Sequence, residues 1–392
     1  LRYGKDGTIV VCLARGIRES MMGLGDALGV EWPLIQAPMA GAQGAALAAA
    51  VCEAGALGSL PCAMLTPESL SAELAALRRL TDRPFNVNFF CHAPPLFDAA
   101  RDQRWRAALA PWYEKYGIDP SGIVPAAGRA PFDERMLEVI EAWRPPVVSF
   151  HFGLPRPALL DGVKEWGAVV MSTATTVDEA RYLEDHGADV VIAQGIEAGG
   201  HRGLFLSGDL TGQLPLRELL ARIADAVRLP VVAAGGIAGP KDVAEAMALG
   251  ASGVQAGTVF LLCDESGAGA VLRAAVARAG EAGTALTRVF TGRPARGVVN
   301  LAMRELGPFG ESVPDFPLAV SYMAPLRAPV PKRRATARFP RCGAGKTPPG
   351  AVKCLPPGSC SIWWPGSSRV ARFLRARRRR RVPRPSRARR AP

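Results

Sequence analysis

Short apolar runs rich in β-branched residues recur along the chain, and the stretches between them place apolar residues at helical spacing. Eight runs read as strands: Pro33–Ala37, Ala56–Leu60, Phe85–Phe89, Val147–His151, Ala168–Met171, Asp189–Ala193, Pro230–Ala234 and Ser252–Gln255. Each shows little polar alternation, as parallel strands buried on both faces do. Thr66-Pro67-Glu68 supplies an N-cap, a proline at the first helical position and an early acid. Leu70, Leu74, Leu77 and Leu80 then recur at helical spacing. Thr176-Val177-Asp178-Glu179 opens a second helix closed by His186-Gly187, and Gly239-Pro240-Lys241-Asp242 opens a third closed by Leu249-Gly250. Strand and helix alternating eight times predict a (β/α)8 TIM barrel, with a doubly wound open sheet as the other architecture. The segment His92–Ala130 is rich in Pro and Trp and too long for a simple connection. It predicts an insertion after strand three (93–130) that covers one mouth of the barrel.

Composition changes the picture at the two ends. The net charge is +13, but residues 331–392 hold 19 Lys or Arg and no acid, leaving 29 bases against 35 acids in residues 1–330. The core is therefore mildly acidic and the basic character belongs to the tail. Residues 328–392 carry Pro348-Pro349, Trp363-Trp364 and the run Arg377 to Arg381, with no sustained period. Three readings account for them. Out-of-frame translation of a GC-rich gene ranks first, a disordered segment second, and a nucleic-acid-binding arm last. Met21-Met22 precedes the first barrel-like sequence, so residues 1–21 are expected to be extra upstream sequence and residues 22–327 to form the barrel. No apolar run is long enough to span a bilayer. The eight cysteines form no CxxC pair, and their scatter predicts reduced, cytoplasmic usage without a disulfide framework or zinc site. The sequence leaves the oligomeric state open.

Barrel chemistry sits at the C-terminal ends of the strands. Those ends read Gln36-Ala37-Pro38-Met39-Ala40-Gly41, Asn86-Val87-Asn88-Phe89, Ser149-Phe150-His151-Phe152-Gly153, Gln194 to His201, Ala234-Gly235-Gly236-Ile237 and Gln255-Ala256-Gly257-Thr258. Gly235-Gly236 ends strand seven, and Gln255 to Thr258 ends strand eight and opens a helical segment. Glycine lets the backbone approach a phosphate closely, and the N–H groups of a helix start point at it. A phosphate site at these two ends is expected. Neither GxGxxG after a first strand nor GxxxxGK[ST] occurs, which argues against a Rossmann or P-loop site.

Of the four histidines, His186 reads as structural in a helix C-terminal turn, and His92 enters the insertion. His151 lies in aromatic company and reads more readily as packed than as catalytic. His201 follows Gly199-Gly200 and precedes Gly203, which predicts an open, mobile loop and a ring able to take a proton from carbon. No spacing of His, Cys and carboxylates suggests a metal.

These residues resemble the nitronate monooxygenases, formerly called 2-nitropropane dioxygenases. The resemblance rests on Gln36 to Gly41, Asn88, Ser149 to Gly153, Ala193 to Gly203, Ala234 to Ile237, Gly253 to Thr258 and Thr291 to Arg296, and covers roughly Gly23 to Arg327. It implies a TIM barrel that holds FMN non-covalently and oxidises alkyl nitronates with O2 to carbonyl compounds and nitrite. It implies that the Met39 backbone faces the flavin ring, that Asn88 and Gln194 hydrogen-bond it, and that Gly199 and Gly200 line it. Gly235, Gly236, Gln255, Ala256, Gly257 and Thr258 would hold the phosphate. His201 would be the base or substrate-orienting group, with His151 lining the substrate pocket. Related barrels reduce quinones or enoyl thioesters with NAD(P)H, so such an FMN reductase is the first rival. Nucleic-acid binding through the tail is the rival of another class. Past Arg327 the family continues with an acid-containing segment, which the Arg/Pro tail replaces here.

Overall fold

The computed structural model describes residues 2–3, 9–10, 23–125, 128–279 and 283–327. Eight parallel strands form the central sheet: β1 (Leu34–Gln36), β2 (Gly58–Pro61), β3 (Phe85–Phe90), β4 (Val147–His151), β5 (Val169–Ala174), β6 (Val190–Gln194), β7 (Val231–Ala234) and β8 (Gly253–Ala256). Their order is β1-β8-β7-β6-β5-β4-β3-β2. Leu57 N–H donates to Leu34 O and Gln36 N–H to Leu57 O, both at 2.9 Å, so β1 meets β2 and the ring closes as a (β/α)8 barrel. Each predicted strand is present, displaced by no more than a few residues.

The helices form because their apolar stripes face the ring and their ends are capped. Thr66 caps α2 (Pro67–Leu80) in a reciprocal box with Ser69. Leu70, Leu74 and Leu77 are buried, whereas Leu80, in the last turn, is half exposed and leaves the stripe. They pack with α1 (Ala45–Glu53) over β2 and β3, and α4 (Glu134–Trp143) and α5 (Pro157–Lys164) add Ile140, Leu159 and Val163 to the same cluster. On the other side, α6 (Val177–Asp185), α7 (Leu216–Ala226) and α8 (Pro240–Ala248) cover β6 to β8 through Leu183, Leu219, Leu220, Ile223 and Met247. The barrel interior is filled by Ile35, Met171, Ile192 and Val232, joined by Leu24 and Leu28 from helical residues 23–28. Burying a side chain of this size contributes about 1.5–3 kcal/mol.

The segment after β3 contains α3 (Ala99–Tyr116), capped by Asp98. Its Trp105, Leu109 and Tyr113 pack on the C-terminal residues Val289, Phe290, Met303 and Met323, and Tyr113 donates to Tyr322 O at 2.8 Å. A small antiparallel sheet joins Gly200–His201 to Ala295–Val298 and Thr284–Thr287. Arg2–Tyr3 and Ile9–Val10 pair antiparallel. The rest of residues 1–21 and the tail 328–392 lie outside the described residues, with the expectations made for them. No helix among the described residues is long and apolar enough to cross a membrane.

Candidate active site

A cavity of about 840 Å3 sits where the C-terminal ends of the strands meet. Every residue expected to bind the flavin or to act on the substrate lines it. Met39 follows β1, Asn88 lies in β3, His151 ends β4 and Gln194 ends β6. Gly199, Gly200 and His201 follow β6, and Gly235 and Gly236 follow β7. Gln255 and Ala256 close β8, and Gly257 and Thr258 run into the 3-10 helix Thr258–Leu262. The volume falls within the ~300–1,000 Å3 usual for ligand and cofactor sites.

The rim at β7 and β8 is built of backbone. Gly235 and Gly236 have φ of +124° and +70°, a region in which side chains are strained. A Cβ on Gly235 would stand 3.0 Å from the Ala198 nitrogen, and one on Gly257 would stand 3.3 Å from the Ala37 Cβ. Only glycine leaves this space open to a ligand.

Polar side chains on the opposite strands are held by one another. Asn88 Nδ2 donates to the Ser149 hydroxyl at 2.9 Å, which sets its rotamer and leaves its carbonyl oxygen for a ligand. Gln194 Nε2 donates to His201 O at 2.9 Å, and Gln194 Oε1 accepts from Gly203 N–H at 2.8 Å. One N–H of the Gln194 amide remains for other use.

His201 departs from the sequence expectation. It is not on a mobile loop. With Gly200 it forms a two-residue strand paired to Ala295 and Arg296, and its ring Nε2 lies 2.9 Å from the Thr291 hydroxyl. The glycines beside it serve the bend and the packing. Gly200 has φ +77°, and a Cβ on Gly203 would collide with Thr173 at 2.6 Å.

His151 has both ring nitrogens engaged. Nε2 lies 3.3 Å from His201 O and Nδ1 lies 3.1 Å from the Thr173 hydroxyl. A carbonyl only accepts, so Nε2 carries the proton and Nδ1 accepts from Thr173. Burial, with the Arg293 charge adding to it, pushes the His151 pKa down to about 3. The ring is neutral and its lone pair is used, so His151 is a wall and a clamp, not a base.

His92 lies outside the cavity lining. It is buried against Phe316 at 4.7 Å, and neither ring nitrogen has a hydrogen-bond partner among the described residues. Burial and then Arg293 lower its pKa to about 4. His186 caps α6, with Nδ1 2.7 Å from Tyr182 O and its ring stacked on Tyr182, as expected of a structural residue.

Sequence reasoning missed the aromatic wall around His201. Phe90, Phe152 and Phe316 each lie within 6.1 Å of the His201 ring, and Arg293 sits 3.9 Å over Phe152. Phe152 takes φ +73°, rare for a bulky side chain, and nothing in its local sequence signals that. Thr291 lies ninety residues from His201, so only the fold reveals their contact. Among the described residues no cluster of His, Cys, Asp and Glu could hold a metal ion.

The chain is similar to known proteins. Residues 22–337 match the family model described as nitronate monooxygenase. The chain is 42% identical over 274 residues to a nitronate monooxygenase of Paraburkholderia phytofirmans, covering 70% of this chain and 75% of that one. It is 43% identical over 295 residues to one of Pseudomonas aeruginosa, covering 74% and 83%. Among solved structures, nitroalkane oxidase from Streptomyces ansochromogenes superposes with a TM-score of 0.69 at 42% identity, over 78% of this chain and 86% of that one. FabK from Thermotoga maritima gives a TM-score of 0.56 at 30% identity, over 72% and 76%.

Proposed function

The chain belongs to the nitronate monooxygenase family, and from that membership and the cavity we propose that it oxidises alkyl nitronates with O2, on bound FMN, to carbonyl compounds and nitrite. The family's members are oxidoreductases that use a flavin. The observation that carries the reading is the meeting of His201 with the glycine rim of β7 and β8 in one cavity.

The residues present fit FMN. The rim at Gly235, Gly236 and Gln255 to Thr258 is bare backbone of the kind that takes a phosphate. Met39 and Gly199 offer backbone to a ring system, and the Asn88 carbonyl and the remaining Gln194 N–H offer it one acceptor and one donor. When bound, the flavin would supply the redox chemistry that couples oxidation of the nitronate to O2.

The chain's own part is binding and proton transfer. A nitronate is already an anion, whereas a neutral nitroalkane must first lose its α-proton. His201 is the group assigned to take it. Its backbone is held by Gln194, His151 and Ala295, and its ring by Thr291, so the imidazole meets the substrate in one orientation. Phe90, Phe152 and Phe316 pack around the ring and wall it off with apolar surface. His151 lines the substrate side as a fixed neutral wall.

We further read residues 22–327 as one FMN-binding unit, with the insertion 93–130 docked on its C-terminal segment. The buried, unpaired thiols Cys52 and Cys62 support a reduced, cytoplasmic setting.

The absorption spectrum of the purified protein tests this directly. It should show bound FMN, and adding a nitronate under argon should bleach it. Bleaching by NADH with none by nitronate would instead favour a reductase on the same barrel.

A further inference from the structure

Arg202 follows the proposed base in sequence, yet it points away from the cavity and is fully buried. Four of its N–H groups meet neutral acceptors. Nη1 donates to Gly195 O and Nη2 to Gln194 O, both at 2.7 Å. Nε and Nη2 both donate to Gln213 Oε1, at 3.0 and 2.7 Å. Among the described residues no carboxylate hydrogen-bonds to or ion-pairs with the guanidinium; Glu179 and Glu197 act on its charge from farther off.

Glu179 is reached from the guanidinium through three hydrogen bonds. Gln213 Nε2 donates to the Thr175 hydroxyl at 3.0 Å, and that hydroxyl donates to Glu179 Oε2 at 2.7 Å. Glu179, itself buried, also accepts from Thr175 N–H at 2.7 Å and Phe205 N–H at 2.6 Å. Every donor along this line finds an acceptor, and the line runs in one direction from guanidinium to carboxylate. Its other end reaches the base. Arg202 grips the main chain of Gln194, whose side chain grips His201 O and Gly203 N–H. The main chain on either side of Arg202 is thus held by Gln194, while Arg202 holds the main chain of Gln194.

A buried charge without a contacting partner is a poor device for stability, because apolar packing fills the same volume at lower desolvation cost. It is a good device for geometry, because the planar guanidinium fixes several acceptors at once. We propose that Arg202 is a positioning residue for His201, holding the end of β6 in the one conformation from which Gln194 can clamp the backbone of the base, with Gln213, Thr175 and Glu179 anchoring it.

This rests on His201 acting as the base, so the test separates the two ideas. Arg202→Met removes the fork and Arg202→Lys keeps its charge without its geometry. Gln213→Leu cuts the line one link away and outside the cavity, and serves if the arginine variants fold poorly. Each variant, as full-length holoprotein, is assayed with a neutral nitroalkane and with its preformed nitronate. Its imidazole NMR signals are recorded as well. The chain has four histidines, so the His201 signal is identified by its loss in His201→Asn.

The expected result is a fall in kcat/KM of about tenfold or more for the nitroalkane, with less than about threefold for the nitronate. The His201 signal should broaden or shift while the His186 signal stays. Arg202→Lys should not restore either. Equal loss on both substrates with an unmoved His201 signal would overturn the proposal. If the wild-type protein turns over neither substrate, the functional reading fails, and the His201 signal alone decides whether Arg202 positions the ring.

Discussion

The Nε2 of His201 and the hydroxyl of Thr291 stand 2.9 Å apart, across ninety residues of chain. A base whose ring is held by a third group delivers its lone pair in one direction, and that alignment is worth as much as its basicity. His201→Asn should lower kcat on a neutral nitroalkane by about 10²–10⁴, the usual contribution of general base catalysis. Turnover of preformed nitronate should fall far less. Thr291→Val, nearly equal in volume, should show the same selectivity at smaller size. Parallel steady-state assays on the two substrates check both.

The flavin rim gives a binding prediction. Gly235→Ala places a methyl 3.0 Å from the Ala198 nitrogen at a φ of +124°. The backbone must shift at the phosphate end of the cavity. FMN affinity should fall at least about tenfold, equivalent to about 1.4 kcal/mol, as read by fluorescence titration of the apoprotein. The strained φ should also lower the urea midpoint.

Gly58 gives the contrasting case. A Cβ there would stand 2.0 Å from Ala48 O, where α1 crosses β2. Both neighbours are rigid backbone, so Gly58→Ala forces helix and strand apart. Overpacking of this kind costs about 1–3 kcal/mol or more. Urea denaturation should show it as a lowered midpoint with an unchanged slope.

Acid should weaken the fold through two histidines. His151 and His92 are depressed to about 3 and about 4, chiefly by burial, whereas unfolded histidine titrates near 6.5. Below about pH 6.5 the unfolded chain takes up protons that the folded chain refuses, so stability falls as pH drops. His92 contributes down to about 4 and His151 down to about 3. The slope per ring is at most about 1.4 kcal/mol per pH unit. Urea midpoints at pH 7 and pH 5 measure it, and His92→Phe should flatten the difference.

The barrel was legible because each of its units is local. A buried strand reads as a short apolar run, and Thr66-Pro67 announces a helix start without reference to anything distant. The cavity lining was legible for a related reason: a barrel gathers its strand ends, so Asn88, Gln194 and Gly236 meet once the strands are known. What the sequence could not convey is pairing over long separations. Gly199-Gly200-His201 suggests a loose loop when read alone, and only residues 295–296 show it to be a strand. Nothing in the sequence around Arg202 indicates that Gln213 and two main-chain carbonyls hold its guanidinium. Leu80 kept the helical period but fell in the last turn, where the helix no longer faces the core.

The strand pairing between Gly200–His201 and Ala295–Arg296 has a consequence for biosynthesis. The ring of staves is complete once the nascent chain has passed Ala256, but the partner that steadies the imidazole emerges only with the stretch around Thr291 to Arg296. Folding from the amino end therefore yields a closed scaffold before it yields a working reaction centre. Messages cut short between those two points should give a polypeptide that resists proteases as a barrel yet leaves its nitroalkane untouched.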